Sequence, residues 1–335
     1  MTPGPTGRRR LVRAAATLLV TALSAAYVVW KIDLARTVDV LGDADVLPLA
    51  GALAILLLAI PLLAWRWRVL LRARGVDDGL PWLTRAYFVS YAAGQVLPTS
   101  LGGDAMRIFE TARRHRAAAG TVAGSVLLER ALGGVATLAL GAAGFALAVG
   151  RYDVGAYLWV ELALLAAAVA LGVLLFARSA RIVLRRLAPA LGRIGLDRPL
   201  RSVYEAVHAY RVRPSLLLWL LTLTVAVQAF RILSIWLTAQ AAGVELSPLP
   251  YYVMGPLFFV VMLVPFTING LAVREAFFVS FLGQLGVAAE PAFATGFLYF
   301  LLSLGLAVPG AAILLAEGGR SLVRPSAGAR RPSSE

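Results

Sequence analysis

The sequence contains no cysteine, two histidines and a single lysine, Lys31. Without cysteine there is no disulfide, no thiolate metal ligand and no cysteine nucleophile. His115 and His208 both lie in arginine-rich stretches and read as solvated side chains rather than catalytic ones. The motifs H-E-x-x-H, G-x-S-x-G and the Walker-type G-x-x-x-x-G-K are also absent, so nothing in the sequence points to a zinc protease, an α/β-hydrolase or a nucleotide hydrolase. No cofactor and no metal is expected. Acidic residues are scarce, 18 against 32 basic ones, for a net charge of +14. Such an excess suits nucleic acid when it forms one basic stripe. Here the arginines flank apolar runs on alternating sides, so no nucleic-acid partner is expected.

What is present is apolar sequence. Of 335 residues, 60% are hydrophobic, and the mean hydropathy is +0.79. The runs Leu11–Val29, Leu47–Leu63, Thr121–Val149, Tyr157–Ala177, Leu216–Ala242 and 292–316 are each long enough to cross the ~30 Å of a bilayer's hydrocarbon. The expected fold is an all-α polytopic membrane protein. Arg8, Arg9, Arg10 and Arg13 cluster at the start of the first run, which ends at Trp30-Lys31 without an A-x-A cleavage site, so it reads as an uncleaved span.

Arginine placement orients these spans through the positive-inside rule. The 1–10 segment, residues 66–85, the loop 178–213 and the tail 317–335 are basic and read as cytoplasmic. The loop around Asp33, Asp39, Asp43 and Asp45, and the one around Glu245, read as external. Asp43-Ala-Asp45 is a D-x-D of the sort some metal-dependent sugar transferases use, but a solvated acidic loop explains it better. Two apolar stretches, Ala86–Leu97 and 251–287, are too short or too broken to cross and read as re-entrant hairpins, the first entering from inside and the second from outside. The transmembrane domain, 11–316, then divides into halves 11–149 and 157–316, each made of span, span, hairpin, span. An odd number of crossings per half makes them an inverted repeat of about six full spans and two hairpins, as in secondary transporters.

Both hairpins carry the pattern P-x4-G-x3-R, half a chain apart: Pro98, Gly103 and Arg107 in one, Pro265, Gly270 and Arg274 in the other. Proline ends the incoming helix, glycine turns the chain, and the emerging helix presents free N–H groups beside an arginine, a natural receiver of phosphate. Charge at membrane depth is costly, so Asp104, Glu129, Arg130, Arg231 and Glu275 are candidate site residues, with Asn269 supplying the second turn. Adjacent helix residues diverge by about 100°, so Arg274 and Glu275 are expected to face different partners. Asp104 reads equally as a helix cap, and Glu129-Arg130 equally as a buried pair fixing register. Gly133-Gly134 is expected to allow close helix approach, and Tyr251, Tyr252 and Tyr299 to sit at the membrane interface.

The segments LPTSLGGDAMRIFE (97–110), SVLLERALG (125–133) and VPFTINGLAVREAFF (264–278) resemble the lysylphosphatidylglycerol synthase transmembrane region family, also called flippase-like domain proteins. Gly103, Asp104, Arg107, Glu129 and Arg130 fall on the family's recurrent positions. The third segment departs from the family's glycine-rich turn at Ile268, Asn269 and Ala272 but keeps Gly270 and Glu275. The resemblance implies a lipid-handling domain. In two-domain relatives such a region moves an aminoacylated phospholipid between leaflets while a soluble domain makes it. No synthase domain fits after residue 316, so aminoacyl transfer is not expected. The expected function is a flippase for a lipid or lipid-linked intermediate in the bacterial plasma membrane, both termini cytoplasmic. Arg107 and Arg274 would hold an anionic or phosphate-bearing head group. Alternatives are a transferase acting on a polyprenyl phosphate, or a scaffold for a separate lipid-modifying enzyme.

Overall fold

A computed structural model describes residues 23, 26, 27, 29–96, 102–148, 166, 205, 208–262, 270 and 272–323. Most of the predicted spans 11–29 and 157–177 and of the basic loop 178–213 lies outside these residues. So do Pro98, Pro265 and Asn269.

The described chain is helical: α1 (Leu34–Gly42), α2 (Val46–Arg72), α3 (Leu80–Val96), α4 (Gly102–Arg114), α5 (Ala119–Ala148), α6 (Pro214–Ala241), α7 (Leu249–Val261), α8 (Val273–Gln284) and α9 (Ala289–Val323). Among the described residues four helices are long and apolar enough to cross a membrane: α2, α5, α6 and the Ala289–Glu317 part of α9. They match the four predicted spans that fall within the described residues. At 27 to 30 residues, α2, α5 and α6 reach about 40 Å. Helix is the only open-ended structure lipid tolerates, because it pairs every backbone group internally. Leu58, Leu218 and Val308 project outward from α2, α6 and α9, as lipid-facing side chains should. Local signals set the ends. Asp33 caps α1 by accepting from the Ala35 and Arg36 amides, Asp45 caps α2 by accepting from Leu47, and Pro214 opens α6. Capping thus accounts for one aspartate of the D-x-D.

Between the long helices lie two pairs of short ones. α3 and α4 have 17 and 13 residues; α7 and α8 have 13 and 12. The order long, short, short, long occurs twice. The packing repeats as well. Among α2–α9 every substantial contact (α3 with α9, α2 with α3, α4 with α5, α2 with α9, α2 with α5) has its counterpart when α2 is exchanged with α6, α3 with α7, α4 with α8 and α5 with α9. The α2–α6 contact maps onto itself.

These two helices run antiparallel. The Asp45 amide at the start of α2 donates to Ala241 O at the end of α6 (3.0 Å). Trp65, near the other end of α2, packs edge-on against Trp219 near the start of α6, ring centres 4.9 Å apart. A two-fold that exchanges antiparallel neighbours lies across them, so the halves are inverted copies.

The short pairs therefore open at opposite ends of the bundle. α4 returns to where α3 began: Arg114 and His115 reach Asp78 at 3.2 and 2.8 Å, and Asp78 O accepts from Arg68 near the end of α2 (2.9 Å). α9 runs antiparallel to α3, Gln95 reaching Ser303 O and Arg85 pairing with Glu317. Its start, and with it the end of α8, lies at the far end, where Glu290 accepts from the Asp33 amide (3.2 Å). One end is rich in arginine and the other in carboxylates. At the basic end, Arg72, the last residue of α2, bonds Asp77 in the loop beyond it at 2.7 and 3.0 Å and holds that carboxyl below the usual carboxylate range.

One glycine per half brings a long helix against the first short helix of the other half. A Cβ on Gly144 of α5 would collide with the Tyr252 backbone of α7, and one on Gly310 of α9 with the Phe88 backbone of α3. Gly133 and Gly134, expected to have this role, face no neighbour within 4 Å. Tyr251 and Tyr299, expected at the interface, are buried in the core instead. Tyr299 joins an aromatic cluster around Phe258, with Phe278 at 5.3 Å and Tyr299 at 5.8 Å between ring centres.

Candidate functional site

The charged residues of the spans gather into two networks, one per hairpin. The first is built around Glu129, 2% exposed, on α5. Its Oε1 accepts from Arg66 Nε on α2 at 3.1 Å, and its Oε2 accepts from Arg107 Nη1 on α4 at 2.7 Å. The Tyr87 hydroxyl on α3 lies 3.0 Å from both oxygens. Arg66 Nη1 also donates to Thr224 on α6 (2.8 Å). Arg107, 3% exposed, donates through Nε to Asp104 (2.9 Å), and Asp104 is bonded in turn by Arg130. The Arg107 guanidinium lies over Trp67 and Tyr87, 4.8 and 4.5 Å from the ring centres, and Trp67 is anchored by its indole N–H to Ser125 (2.9 Å). Side chains of α2, α3 and α4 thus converge on one carboxylate of α5 whose oxygens are fully engaged, and Arg66 ties α6 to the same cluster. Gly103 makes this possible: a Cβ there would strike the Ser90 backbone of α3, so only glycine lets α4 lie this close.

The second network is sparser. Arg274 and Glu275, 3% and 2% exposed, open α8. Their expected divergence is not observed, because Arg274 Nε donates to Glu275 Oε1 at 2.9 Å. The long guanidinium arm folds back across the helix start, since no other carboxylate is in reach of it among the described residues. Arg274 Nη2 lies 2.9 Å from the same Oε1 in the ion pair, while Glu275 Oε2 remains buried without a hydrogen-bond partner. The Arg274 guanidinium lies 4.5 Å from the Phe300 ring centre. Arg231 on α6 donates to Gln228 one turn earlier (2.9 Å) and lies over Phe259 at 4.9 Å; Gln228 in turn donates to Thr137 of α5 (2.7 Å).

The turn before α8 is tight. Gly270 has φ 72° and packs against Met262, and Ala272 has φ 65°. Positive φ is routine for glycine and strained for alanine.

Arg107 and Arg274 therefore do not share a partner among the described residues. Their networks meet at α5, which gives Glu129 to one and Thr137, about two turns later, to the other. Neither Asp104 nor Glu129 pairs with Arg274. His115 and His208 also depart from expectation: His115 pairs with Asp78, and His208 is buried. Sequence reading missed Arg66, Trp67, Tyr87 and Thr224. In the sequence Arg66 reads as a flanking arginine, yet α2 continues to Arg72 and buries it. The signal was the run Trp65-Arg66-Trp67, since aromatic neighbours on both sides suit a buried cation. A groove of about 350 Å³ lies away from both networks, between α5 and α7, lined by apolar residues including Leu140, Leu147, Leu249 and Tyr252.

A family model described as the lysylphosphatidylglycerol synthase TM region matches residues 14–310. Glycosyltransferase AglD of Haloferax volcanii is 36% identical over 106 residues, 32% of this chain and 17% of that protein. The match thus spans less than a fifth of the relative's own length. No solved structure matches the chain.

Proposed function

The chain belongs to the lysylphosphatidylglycerol synthase TM region family, and from that premise we propose that it moves a lipid or lipid-linked intermediate between the leaflets of the membrane it spans. The observation that carries this reading is the pair of half-length helical hairpins opening at opposite ends of the bundle, each with a buried arginine on its second helix. Irregular backbone and charge at membrane depth are tolerated where they line a path. A head group bearing phosphate or another anion enters from one end, meets the positive charge supplied by Arg107 and Arg274, and leaves when the inverted halves rock about that centre. Asp104, Glu129 and Glu275 set the orientation of these arginines. The bacterial plasma membrane, with both termini cytoplasmic, fits the arginine-rich end as the inner one.

The test is transbilayer movement of fluorescent phospholipids in liposomes containing the purified protein. Movement well above that of protein-free liposomes, lost in Arg274→Ala, is the expected result; equal rates with and without protein would reject the reading. The match to AglD, a glycosyltransferase by name, supports a second reading, in which the chain is itself a membrane transferase acting on a polyprenyl phosphate. A chemically altered lipid, rather than a relocated one, would favour it.

A further inference from the structure

Each hairpin has a buried carboxylate beside its arginine, but the two carboxylates are held differently. In the first, both oxygens of Glu129 are engaged: Oε1 accepts from Arg66, Oε2 from Arg107, and the Tyr87 hydroxyl lies 3.0 Å from each. A proton added there would displace a donor from the middle of the bundle, so Glu129 is a fixed strut. In the second, Glu275 is just as deeply buried, 2% exposed, yet only one oxygen is engaged. Arg274 Nε and Nη2 both approach Oε1, at 2.9 Å each, and Oε2 is buried without a hydrogen-bond partner.

The neighbouring helices bring no second cation to it. Glu275 is the third residue of α8, from where a carboxylate commonly reaches back to the cap amide. Oε2 makes no such bond, and the cap residue is Ala272 with its positive φ. On the register of the two motif copies, Arg66, Tyr87 and Glu129 fall at Leu233, Met254 and Gly296. The second half thus lacks the polar groups that close the first, and Gly296 packs against the Glu275 backbone. α8 packs on α9 and α7. Of the charged and titratable side chains described on those helices, Glu290 accepts from the Asp33 amide at one end and Glu317 pairs with Arg85 at the other. The others are phenols: Tyr251, Tyr252 and Tyr299. Arg231 of α6 donates to Gln228 and lies over the Phe259 ring.

A bare carboxylate oxygen in apolar surroundings is relieved by a further donor or by a proton. No further donor is in place, and a proton has a second consequence. The neutral acid releases Arg274, whose guanidinium then meets an anion through paired N–H groups. Proton and anion therefore favour each other's binding, and one positive and one negative charge arrive together.

We infer that Glu275 Oε2 is a proton site and that the protein carries one proton with each anionic molecule it moves. The proton comes from water at one end of the bundle and forms an O–H bond at Oε2 as the Arg274–Glu275 ion pair opens. It returns to water at the other end as the pair closes again. The anion is that of the lipid-moving reading, on which this rests, and the proton supplies a driving force: a pH difference across the membrane draws the anion toward the alkaline side.

Two measurements test this. In the first, infrared difference spectra of the purified full-length protein in detergent are recorded between pH 5 and pH 8. The carbonyl band of a protonated carboxylic acid is expected on acidification, missing in Glu275→Gln and displaced in Glu275→Asp. Saturating short-chain phosphatidylglycerol is expected to raise its midpoint by about one pH unit or more, the shift that follows from an anion binding the protonated form about tenfold more tightly. Absence of the band, or an unaltered band in both variants, would overturn the proton site, and a midpoint unmoved by the lipid would overturn the exchange. In the second, liposomes containing the wild type and fluorescent phosphatidylglycerol in both leaflets are placed under a pH difference, and the outer-leaflet share is read with a membrane-impermeant quencher. The direction of co-transport is the same for either orientation of the protein. The alkaline-side leaflet is expected to gain the lipid by about twofold or more over protein-free liposomes, to lose it when the gradient is reversed, and to equalise when an ionophore collapses the gradient. Movement that ignores the gradient would overturn the coupling and leave the flippase reading standing. The expected band and midpoint shift without any movement would reject that reading and keep the proton site.

Discussion

At the scale of single residues, the placement of Glu129 decides most. It sits near the middle of an otherwise apolar helix and binds cations from α2 and α4. Removing one member of a buried pair strands its partners' charge, at a cost of about 3–5 kcal/mol. Glu129→Gln is therefore expected to lower the thermal unfolding midpoint of the detergent-solubilised protein severely. Arg130 bonds Asp104 from a side chain that is 41% exposed, where an ion pair contributes about 0–1 kcal/mol. Arg130→Ala should shift the midpoint little, and equal losses in the two variants would refute the strut. Glu129 and Arg107 were visible in the sequence as charges in apolar surroundings. Their partner Arg66 was not, because an arginine at the end of a hydrophobic run looks the same whether it snorkels to the interface or turns inward.

At the scale of elements, the second hairpin turn is the strained one. Ala272 holds φ 65° just before α8, a conformation costing a side-chain-bearing residue about 1 kcal/mol or more. Ala272→Gly is expected to stabilise the protein by up to about 1 kcal/mol, part of the relief being offset by the greater freedom of glycine in the unfolded chain. A rise of a few degrees in the unfolding midpoint would show it, and a fall would mean that the turn is held open by something other than backbone preference. The hairpins themselves were legible, since a proline and a glycine follow an apolar stretch too short to cross in one and break a longer stretch in the other. The side-chain directions at the start of α8 were not. A 100° separation between neighbours argues against Arg274 meeting Glu275, yet a long flexible cation with no other carboxylate nearby takes the adjacent one.

At the scale of the whole molecule, the antiparallel α2–α6 contact and the exchange of the halves place Arg72 and Arg113 at one end of the bundle and Asp43 and Glu245 at the other. The absence of native cysteine makes this directly measurable. Single cysteines introduced at 72 and 113 should react with a membrane-impermeant maleimide from one side of the membrane, and those at 43 and 245 only from the other. Labelling of all four from a common side would end the inverted arrangement.

The amino-acid sequence alone determined that this chain lives in lipid, how many apolar segments it has, where they break and which ends are basic. Those features follow from a solvent that demands continuous apolar helices and leaves charge at their edges. The tertiary structure decided the rest: that Arg66 points inward, that Gly144 and Gly310 rather than Gly133 and Gly134 take the close contacts, and that Glu129 has both oxygens engaged while Glu275 has one. A helix apolar on every side carries no contrast between its lipid-facing and protein-facing surfaces. Its rotation, and therefore its polar partners, is set only by packing against helices far away in sequence.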